Sequence, residues 1–527
     1  MKRHLTLLIF LTWLFTSCAP SPTVQPTPSA PLPKPTATPT PRPTLTPFPT
    51  PTPMPTPTTL PTLAPSTPLP LPAEVGLDTY RPAMRPGDED DVLTMDTLPR
   101  YRLSLQVDLD QGLLRGREEL LFINHEGETL KEIVLRLYAN LHPLTEEDHL
   151  RVGGVTVDGK PVQIRYTASN TALVVPLPHP LPPDASARLE MDFSTPLGSA
   201  HWGYWGLASF YLLLAIHDET GWREDIAPAG DLVYSESALY TAALPLPGEM
   251  IVAASGTEVG TRSNPDGTVT RTFLGPGLRD FALAFGEELR LAQKSVDGIA
   301  VNVWHLPDDP MAKTKLKAVA DAVRVFNERF GYYPYADVDA VAVFDPEWLG
   351  PGGAGVEHPG LSFYRHSEKN WEYNMVHETA HQWWYGVVGN DVHLEPWLDE
   401  ALADYSAFIY FQDVHGEEEA RRAFQENVPK YCEMGLEARR ISGEEPVGSS
   451  VYDFPPDATY FWIVYSKGAL FLDALRRETG DEVFFSFLQE YYHRYKYQVA
   501  TGEGFLEVAE QVSGKDLREL YNDWVRK

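Results

Sequence analysis

The chain has 527 residues, more than one hydrophobic core normally organises, so at least two folded domains are expected. Hydrophobic residues make up 43% and aromatic residues 11% of it, which indicates that most of the chain folds. Its 73 acidic residues outnumber 43 basic ones and give a formal net charge of -30, which would repel a phosphate backbone and argues against a nucleic-acid partner.

Residues 1–18, MKRHLTLLIFLTWLFTSC, follow the pattern of an export signal, with basic residues ahead of an apolar run and then small residues. The run from Leu5 to Phe15 has about 11 residues, short of the ~20 that cross a bilayer. Its end resembles a bacterial lipoprotein signal, whose cleavage leaves Cys18 first and lipid-modified. This predicts an exported protein anchored in the membrane through lipid, with plain secretion as the alternative. Because Cys432 is the only other cysteine in the sequence, no intrachain disulfide is expected after cleavage.

Residues 19–73 are dominated by proline and threonine and carry almost no charge, so they cannot form a core. Such a segment favours polyproline II and reaches up to about 170 Å when extended. We interpret it as a disordered stalk that holds the folded part away from a membrane. A tolerated linker, with or without O-glycosylation, has the same composition.

Residues 74–295 show the period of β-strands and no helical period of useful length from about residue 95 onward. Polar and apolar residues alternate strictly from Tyr101 to Leu109, which is typical of a half-buried strand. Similar alternation recurs around Ile133, around Val155 to Tyr166 across an Asp158-Gly159 turn, and around Met191. These patterns predict an all-β domain of two packed sheets.

Residues 296–527 change to a helical period and are predicted to form an α+β domain that ends mostly helical. One apolar stripe runs from Leu316 to Phe330, and Gly331 stands where a helix C-cap belongs. Alternation returns briefly from Val338 to Phe344 before further helical segments.

The most informative motif is HETAH at residues 377–381. Residues four apart lie on one face of a helix, so His377 and His381 can both bind one ion while Glu378 projects beside them. Catalytic zinc takes three protein ligands and keeps one open position. Glu400 is the candidate third ligand, on a helix opened by Pro396, with eighteen residues between it and His381.

In this scheme Glu378 is not a ligand and accepts a proton from the water that zinc activates. The alternative is that a buried helix holds the two histidines for packing alone. The nearby Glu400 and the export signal favour the metal site.

The sequence HETAHQW followed by Trp397-Leu398-Asp399-Glu400 resembles the zinc motif of the M1 family of aminopeptidases, the gluzincins that include aminopeptidase N and leukotriene A4 hydrolase. The resemblance covers roughly residues 95–527. It implies a saddle-like β-sandwich domain, then a thermolysin-like catalytic domain with one zinc ion held by His377, His381 and Glu400. Asp399 stands where the family more often has asparagine.

Residues 354–358, AGVEH, resemble the family's G-x-M-E-N strand, whose glutamate binds the free amino group of the substrate. The resemblance assigns that role to Glu357, and the strand edge would pair with the peptide backbone. Val356 replaces methionine and His358 replaces asparagine. Without the resemblance, the sequence would favour the interpretation of Glu357 as a solvated carboxylate on a loop.

Residues 464–469, VYSKGA, resemble the segment that carries the family's catalytic tyrosine. The resemblance implies that Tyr465 donates its hydroxyl to the developing oxyanion. The alternative is a tyrosine of the core. The family's glutamine- and arginine-bearing motif is not recognisable in residues 221–240, so a second acidic contact for the amine is unassigned, with Glu236 as a guess.

The sequence therefore predicts a bacterial lipoprotein on the cell surface that removes N-terminal residues from extracellular peptides with a free N-terminus. Two alternatives remain open. A thermolysin-like endopeptidase would share the zinc helix without needing Glu357, and a surface-binding lipoprotein on a decayed peptidase fold would have no activity. Hydrolysis of a small ester or epoxide is a further possibility.

Overall fold

The structure, a computed structural model, describes residues 76–141, 150–198, 200, 203–343, 355–365, 370–428, 445–454 and 459–526. The predicted signal peptide with Cys18, the stalk at 19–73, and Ala354 lie outside the described residues. Where the chain is described, no helix is both long and apolar enough to cross a membrane.

The first folded region is built on an eight-stranded sheet. Buried and more exposed residues alternate along several of its strands, so one face of the sheet packs into the core. Its strands, in spatial order, are β15 (Thr257–Ser263), β16 (Thr268–Leu278), β13 (Ala238–Pro247), β1 (Arg100–Asp108), β2 (Leu113–Ile123), β8 (Ser186–Pro196), β4 (Arg151–Val157) and β5 (Lys160–Pro161). The predicted alternation is confirmed in β1, where Tyr101, Leu103 and Leu105 are buried. Leu109 lies beyond the end of that strand and is 40% exposed.

Smaller sheets complete this region. They are a four-stranded sheet of β10 (Leu213–Leu214), β3 (Leu130–Arg136), β7 (Ala172–Leu181) and β6 (Arg165–Thr167), a three-stranded sheet of β14 (Ile251–Ala254), β17 (Leu283–Gly286) and β9 (Tyr204–Leu207), and a hairpin of β11 (His217–Asp218) and β12 (Gly221–Trp222). The two larger sheets are in contact, since the amide of Leu214 donates to Tyr101 Oη at 2.8 Å. Among the described residues, helix in this region is limited to short 3-10 turns, which confirms the all-β prediction.

A loop without regular structure, residues 223–237, runs from β12 to β13 and is tied to both regions of the chain. On one side, Arg136 Nη1 donates to the carbonyl oxygens of Arg223 and Asp225 at 3.1 and 2.9 Å. On the other side, Arg223 pairs with Asp391 at 3.0 Å, and Asp225 lies 3.2 Å from the His393 ring. The loop is therefore held by side chains rather than by a sheet.

The second region has a five-stranded sheet of β18 (Arg290–Val296), β19 (Ile299–His305), β20 (Asp337–Val343), β22 (Leu361–Arg365) and β21 (Gly355–His358). The domain boundary expected between residues 295 and 296 falls inside β18, which pairs with β19 along its whole length. By sheet pairing, the second region thus includes residues from Arg290 onward. β21 is the last strand in this order and pairs on one side with β22.

Helices cover the sheet and form the C-terminal part, as predicted. They are α1 (Ala312–Arg329), α2 (Trp371–Ala380), α3 (Trp397–His415), α4 (Glu417–Asn427), α5 (Gly468–Thr479), α6 (Asp481–Tyr495), α7 (Gly502–Ser513) and α8 (Arg518–Tyr521). The turn Thr459–Phe461 and the π-helical segment Trp462–Lys467 precede α5. A pair of two-residue strands, β23 (Gly389–Asn390) and β24 (Val499–Ala500), joins the segment after α2 to the segment after α6.

The helix expected at residues 316–330 is confirmed by α1, whose buried side chains include Val319, Val323 and Phe326. Helix α2 packs against α1, α3 and both strands of the β21–β22 hairpin. The predicted zinc motif therefore lies between the edge of the sheet and a long buried helix.

Candidate functional site

His377, His381 and Glu400 converge on one point in the core of the second region. His377 Nε2 and His381 Nε2 are 3.0 Å apart, and each lies 3.3 Å from Glu400 Oε2. All three side chains are buried. Helix α2 ends at Ala380, so His381 is its C-cap, yet its backbone N–H still bonds to the His377 carbonyl at 3.3 Å and keeps both rings on one face.

The outer nitrogen of each imidazole has its own partner. His381 Nδ1 lies 3.1 Å from the carbonyl oxygen of Trp384, which can only accept, so Nδ1 carries the hydrogen there. His377 Nδ1 lies 3.0 Å from Asp404 Oδ1, one helical turn beyond Glu400 on α3. These contacts direct the Nε2 lone pairs toward Glu400, which is the orientation of a metal-ligating histidine.

This donor set fits a zinc ion. Two imidazole nitrogens and one carboxylate match catalytic zinc sites, and Glu400 Oε2 is buried without a hydrogen-bond partner among the described residues. Burial raises the pKa of Glu400, but the two imidazoles outweigh it and lower the value to about 2. Burial lowers the pKa of His377, but Asp404 and Glu400 outweigh it and raise the value to about 10. A metal binding here therefore displaces protons.

Glu378 follows the first ligand on α2, and its carboxylate lies against Gly355 of β21. A Cβ added to Gly355 would lie 2.4 Å from the Glu378 carboxyl carbon. The Glu378 carboxylate can therefore lie this close to β21 only because residue 355 has no side chain. Glu378 Oε2 is buried and has no hydrogen-bond partner within the described part of the chain. Burial raises the pKa of Glu378 to about 7, a value suited to a group that accepts and returns a proton.

Glu357 lies on the edge strand β21 beside Glu378 and His381. Ligand atoms of these three buried residues lie within 4.8 Å of one another. Burial is the main reason that the pKa of Glu357 is raised, and the Asp231 carboxylate raises it further. The solvated-loop interpretation of Glu357 is wrong, since its side chain is only 7% exposed.

Gln382, which follows His381 at the end of α2, is hydrogen-bonded to the backbone at the end of strand β21. Its Nε2 donates to the carbonyl oxygen of His358 at 3.0 Å, and its Oε1 accepts from the amide of Gly360 at 2.7 Å. The His358 ring, where the resemblance led us to expect asparagine, has its Nδ1 2.8 Å from Asp280 Oδ2. The backbone that follows Glu357 is therefore anchored at His358 and Gly360.

Tyr465 lies on the π-helical segment before α5, and such segments often occur at functional sites. Its hydroxyl donates to Glu400 Oε1, and its ring stacks on His377 with centroids 5.8 Å apart. Burial and the Glu400 carboxylate raise the pKa of Tyr465 well above its usual range. The hydroxyl thus remains a donor beside Glu400.

Two residues near the site were not predicted from the sequence. Asp404 carries a recognisable signal, because it lies four residues after Glu400 on the same helix. Asp231 carries none, since it lies in the 223–237 loop, yet its Oδ2 is buried, and burial together with the Glu400 carboxylate raises the pKa of its carboxyl well above the usual range. Glu236, the guessed second contact for the amine, has an exposed side chain, and its role stays a prediction.

A comparison with family models matches residues 314–524 to the peptidase family M1 domain. This region belongs to peptidase family M1. The M1 domain contains the triad as well as Glu357, Glu378 and Tyr465, while Asp231 comes from the β-rich region.

Curated relatives match this chain at low identity. Mitochondrial aminopeptidase 2 of Saccharomyces cerevisiae is 24% identical over 269 residues, covering 48% of this chain and 27% of the relative. Aminopeptidase N of Lactococcus lactis subsp. cremoris is 27% identical over 155 residues, covering 29% and 18%. The chain thus spans less than a third of the length of these relatives.

The fold extends the likeness beyond the M1 domain. An M1 zinc metallopeptidase from Deinococcus radiodurans superposes with a TM-score of 0.59 at 21% identity, covering 81% of this chain and 93% of that one. A variant of the Deinococcus enzyme bound to a Tyr-Ser-Ala substrate gives a TM-score of 0.57, with the same identity and coverage. At this identity the likeness shows the fold, and it includes the β-rich region.

Proposed function

We propose that the protein is a zinc aminopeptidase that removes N-terminal residues from extracellular peptides. The observation that carries the proposal is the convergence of the triad of His377, His381 and Glu400 with Glu378 and with Glu357 on a sheet edge. The M1 relatives named as aminopeptidases and the neighbour bound to a tripeptide support it.

The triad would hold the zinc ion, with Asp404 and the Trp384 carbonyl fixing the two imidazoles from outside. Bound there, zinc supplies a Lewis acid that polarises the scissile carbonyl and makes water a stronger acid. Glu378 accepts the proton from the attacking water and delivers it to the leaving amine. Tyr465 donates its hydroxyl to the carbonyl oxygen as negative charge develops on it.

Glu357 would select a free N-terminus. Its carboxylate binds the α-ammonium of the first residue, which sets the scissile bond one residue from the chain end. The outer edge of β21 can pair with the backbone of an extended peptide. An endopeptidase has no need of a buried carboxylate at this point.

The test uses full-length protein loaded with zinc and a leucyl-coumarin reporter. Wild-type protein should bind one zinc ion and release the fluorophore. Glu378→Gln should keep the zinc and lose about 10²- to 10⁴-fold in kcat, because proton transfer is removed. Glu372→Gln is the matched control on the same helix. Full activity in Glu378→Gln would contradict the proposed mechanism.

We propose further that the chain is exported and anchored on the bacterial surface through lipid on Cys18, with the catalytic region outside. The signal-like residues 1–18 and the proline-rich stalk support this. Metabolic labelling with a fatty-acid probe should mark the wild-type protein and not Cys18→Ala, with Cys432→Ala as control. Equal labelling of the wild type and both variants would contradict the lipid anchor, and so would the absence of label from all three proteins.

A further inference from the structure

Arg279 is a buried arginine of the β-rich region that forms no ion pair with a carboxylate among the described residues. It follows the last residue of β16, and its side chain is 2% exposed. Its three guanidinium nitrogens donate to three backbone carbonyls, those of Ser235 at 3.1 Å, Tyr385 at 2.8 Å and Gln498 at 2.6 Å. A buried charge that gains no opposite charge is costly to stability. This cost points to a role in holding the three carbonyls in place.

The three carbonyls belong to three separate segments of the chain. Ser235 lies in the loop between β12 and β13, Tyr385 in the turn that follows α2, and Gln498 directly before β24. The guanidinium also lies against β23, since a Cβ added to Gly389 would be 2.1 Å from Arg279 Cζ. Arg279 therefore joins the β-rich region to the turn beside the second histidine of the triad.

The turn after α2 holds His381 at two points. The ring Nδ1 of His381 donates to the Trp384 carbonyl at 3.1 Å, and the His381 carbonyl accepts from the Gly386 amide at 2.8 Å. Tyr385 lies between these two partners, so His381 contacts both of the peptide groups that flank Tyr385. The orientation of the His381 ring therefore depends on the backbone conformation of Tyr385.

This backbone conformation is unusual, because Tyr385 has a φ of +102°. A bulky residue rarely adopts a positive φ, and the conformation persists only where the surrounding contacts fix it. The Tyr385 amide donates to the Val388 carbonyl at 2.8 Å, and the Tyr385 carbonyl accepts from Arg279 Nε at 2.8 Å. The guanidinium therefore fixes the peptide group that follows Tyr385, while Val388 fixes the one that precedes it.

We propose that Arg279 is a positioning residue for the metal site, which holds the Tyr385 carbonyl and thereby keeps the Trp384 carbonyl aimed at His381 Nδ1. The inference rests on the proposed zinc enzyme and adds a contribution of its β-rich region to metal binding. A guanidinium has no lone pair to offer a metal, so Arg279 acts through the turn. The partner of the outer ring nitrogen sets the orientation of a ligating histidine and with it the metal affinity.

The test measures zinc affinity by chelator competition on the full-length protein. Arg279→Met keeps an apolar stem and removes the three donors, so it should weaken zinc binding about tenfold. Arg279→Lys keeps the charge without the planar set of donors and should give a smaller loss. Unchanged affinity in both variants would overturn the proposal and leave the proposed function intact. Failure of the wild type to bind zinc would overturn the proposed function as well.

Arg136→Met is the matched control. Arg136 is also 2% exposed, and it donates to two carbonyls of the 223–237 loop but to none in the turn after α2. This variant should lower the thermal stability and leave zinc affinity unchanged. An equal loss of zinc affinity in the Arg136 and Arg279 variants would assign the effect to the loop or to general destabilisation, and would overturn the proposal.

Cobalt(II) in place of zinc gives a readout of ligand geometry that a general loss of stability does not move, since its visible absorption bands depend on how the ligands are arranged. At saturating cobalt, Arg279→Met should shift these bands or change their intensity relative to wild type. Arg136→Met should give the wild-type spectrum. Identical spectra for the wild type and both variants would overturn the proposal.

Gly389→Ala keeps the proposal testable if Arg279→Met does not fold. The added methyl group would lie where the guanidinium now lies, so Arg279 must move although all of its atoms remain. Zinc affinity should again fall about tenfold. Unchanged affinity would overturn the proposal.

A measurement on the metal-free wild type needs no variant. The amides of Tyr385 and Gly386 should exchange hydrogen as slowly as amides within α2, because both donate to carbonyls inside a turn that Arg279 holds. Exchange at the rate of an exposed loop would overturn the proposal.

Discussion

Two groups of side chains near the predicted metal site differ in how their buried polar atoms are satisfied. In the triad of His377, His381 and Glu400, each outer polar atom has a protein partner, and only the atoms facing the common point lack one. In the neighbouring group, Asp231 Oδ2 and Tyr460 Oη have no protein partner where the chain is described. The first group is arranged to hold one ion, whereas the second leaves two buried polar atoms without a partner among the described residues.

The largest expected effect tests the Tyr465 hydroxyl, which donates to Glu400 of the triad. Tyr465→Phe removes the hydroxyl that bonds to Glu400, and it should lower kcat/KM about 10²- to 10³-fold while zinc stays bound. Tyr460→Phe, five residues earlier, should change leucyl-coumarin hydrolysis less than about threefold. Similar losses in the two variants, measured with leucyl-coumarin, would contradict the distinction between the two groups.

The next effect tests the placement of Glu378. Gly355→Ala puts a methyl group about where the Glu378 carboxylate lies, so the carboxylate must move. We expect about a 10²-fold loss in kcat without loss of zinc, because misplacement of a catalytic group by about 1 Å costs that much.

The control for this variant is Gly260→Ala on β15, where an added Cβ meets no atom within 4 Å. Wild-type activity in Gly355→Ala would show that Glu378 does not need its present position. An equal loss in Gly260→Ala would point to general destabilisation instead.

A smaller effect concerns the support of the first ligand. Asp404→Ala removes the partner of His377 Nδ1 and should weaken zinc binding about 10- to 100-fold in a chelator competition assay. Asp413→Ala, on the same helix but paired with Arg329, should leave zinc affinity unchanged. Unchanged affinity in Asp404→Ala would mean that the triad holds its geometry without outer support.

The smallest effect compares two buried tyrosines by thermal unfolding. Tyr373 Oη donates to Asp404 Oδ1 at 3.1 Å, whereas Tyr460 Oη has no partner among the described residues. Tyr373→Phe should therefore lower stability by about 1 kcal/mol, and Tyr460→Phe should leave it unchanged or raise it slightly. A larger loss in Tyr460→Phe would show that its hydroxyl is satisfied in the free protein.

The fold and the triad were predictable because both leave local patterns. Alternation gave strands such as β1, the helical stripe gave α1, and the spacing of HETAH and Glu400 gave three ligands that the structure brings to one point. The roles assigned to Glu357, Glu378 and Tyr465 stay predictions, although all three lie around the triad.

The position of Asp231 and the place of β18 could not be predicted, because they depend on contacts between residues far apart in the sequence. Asp231 reaches the site through a loop held by Arg136, Arg223 and Arg279, all distant in sequence from α2 and α3. The place of β18 depends on its pairing with β19 rather than on its own alternation.

The most direct test of the central claim is the hydrolysis of leucyl-coumarin against N-acetyl-leucyl-coumarin by the zinc-loaded protein. If Glu357 reads a free α-ammonium, only the free form should be cleaved, and Glu357→Gln should lose activity toward it by about 10²-fold or more. Equal cleavage of the two reporters would contradict the aminopeptidase account and favour an endopeptidase.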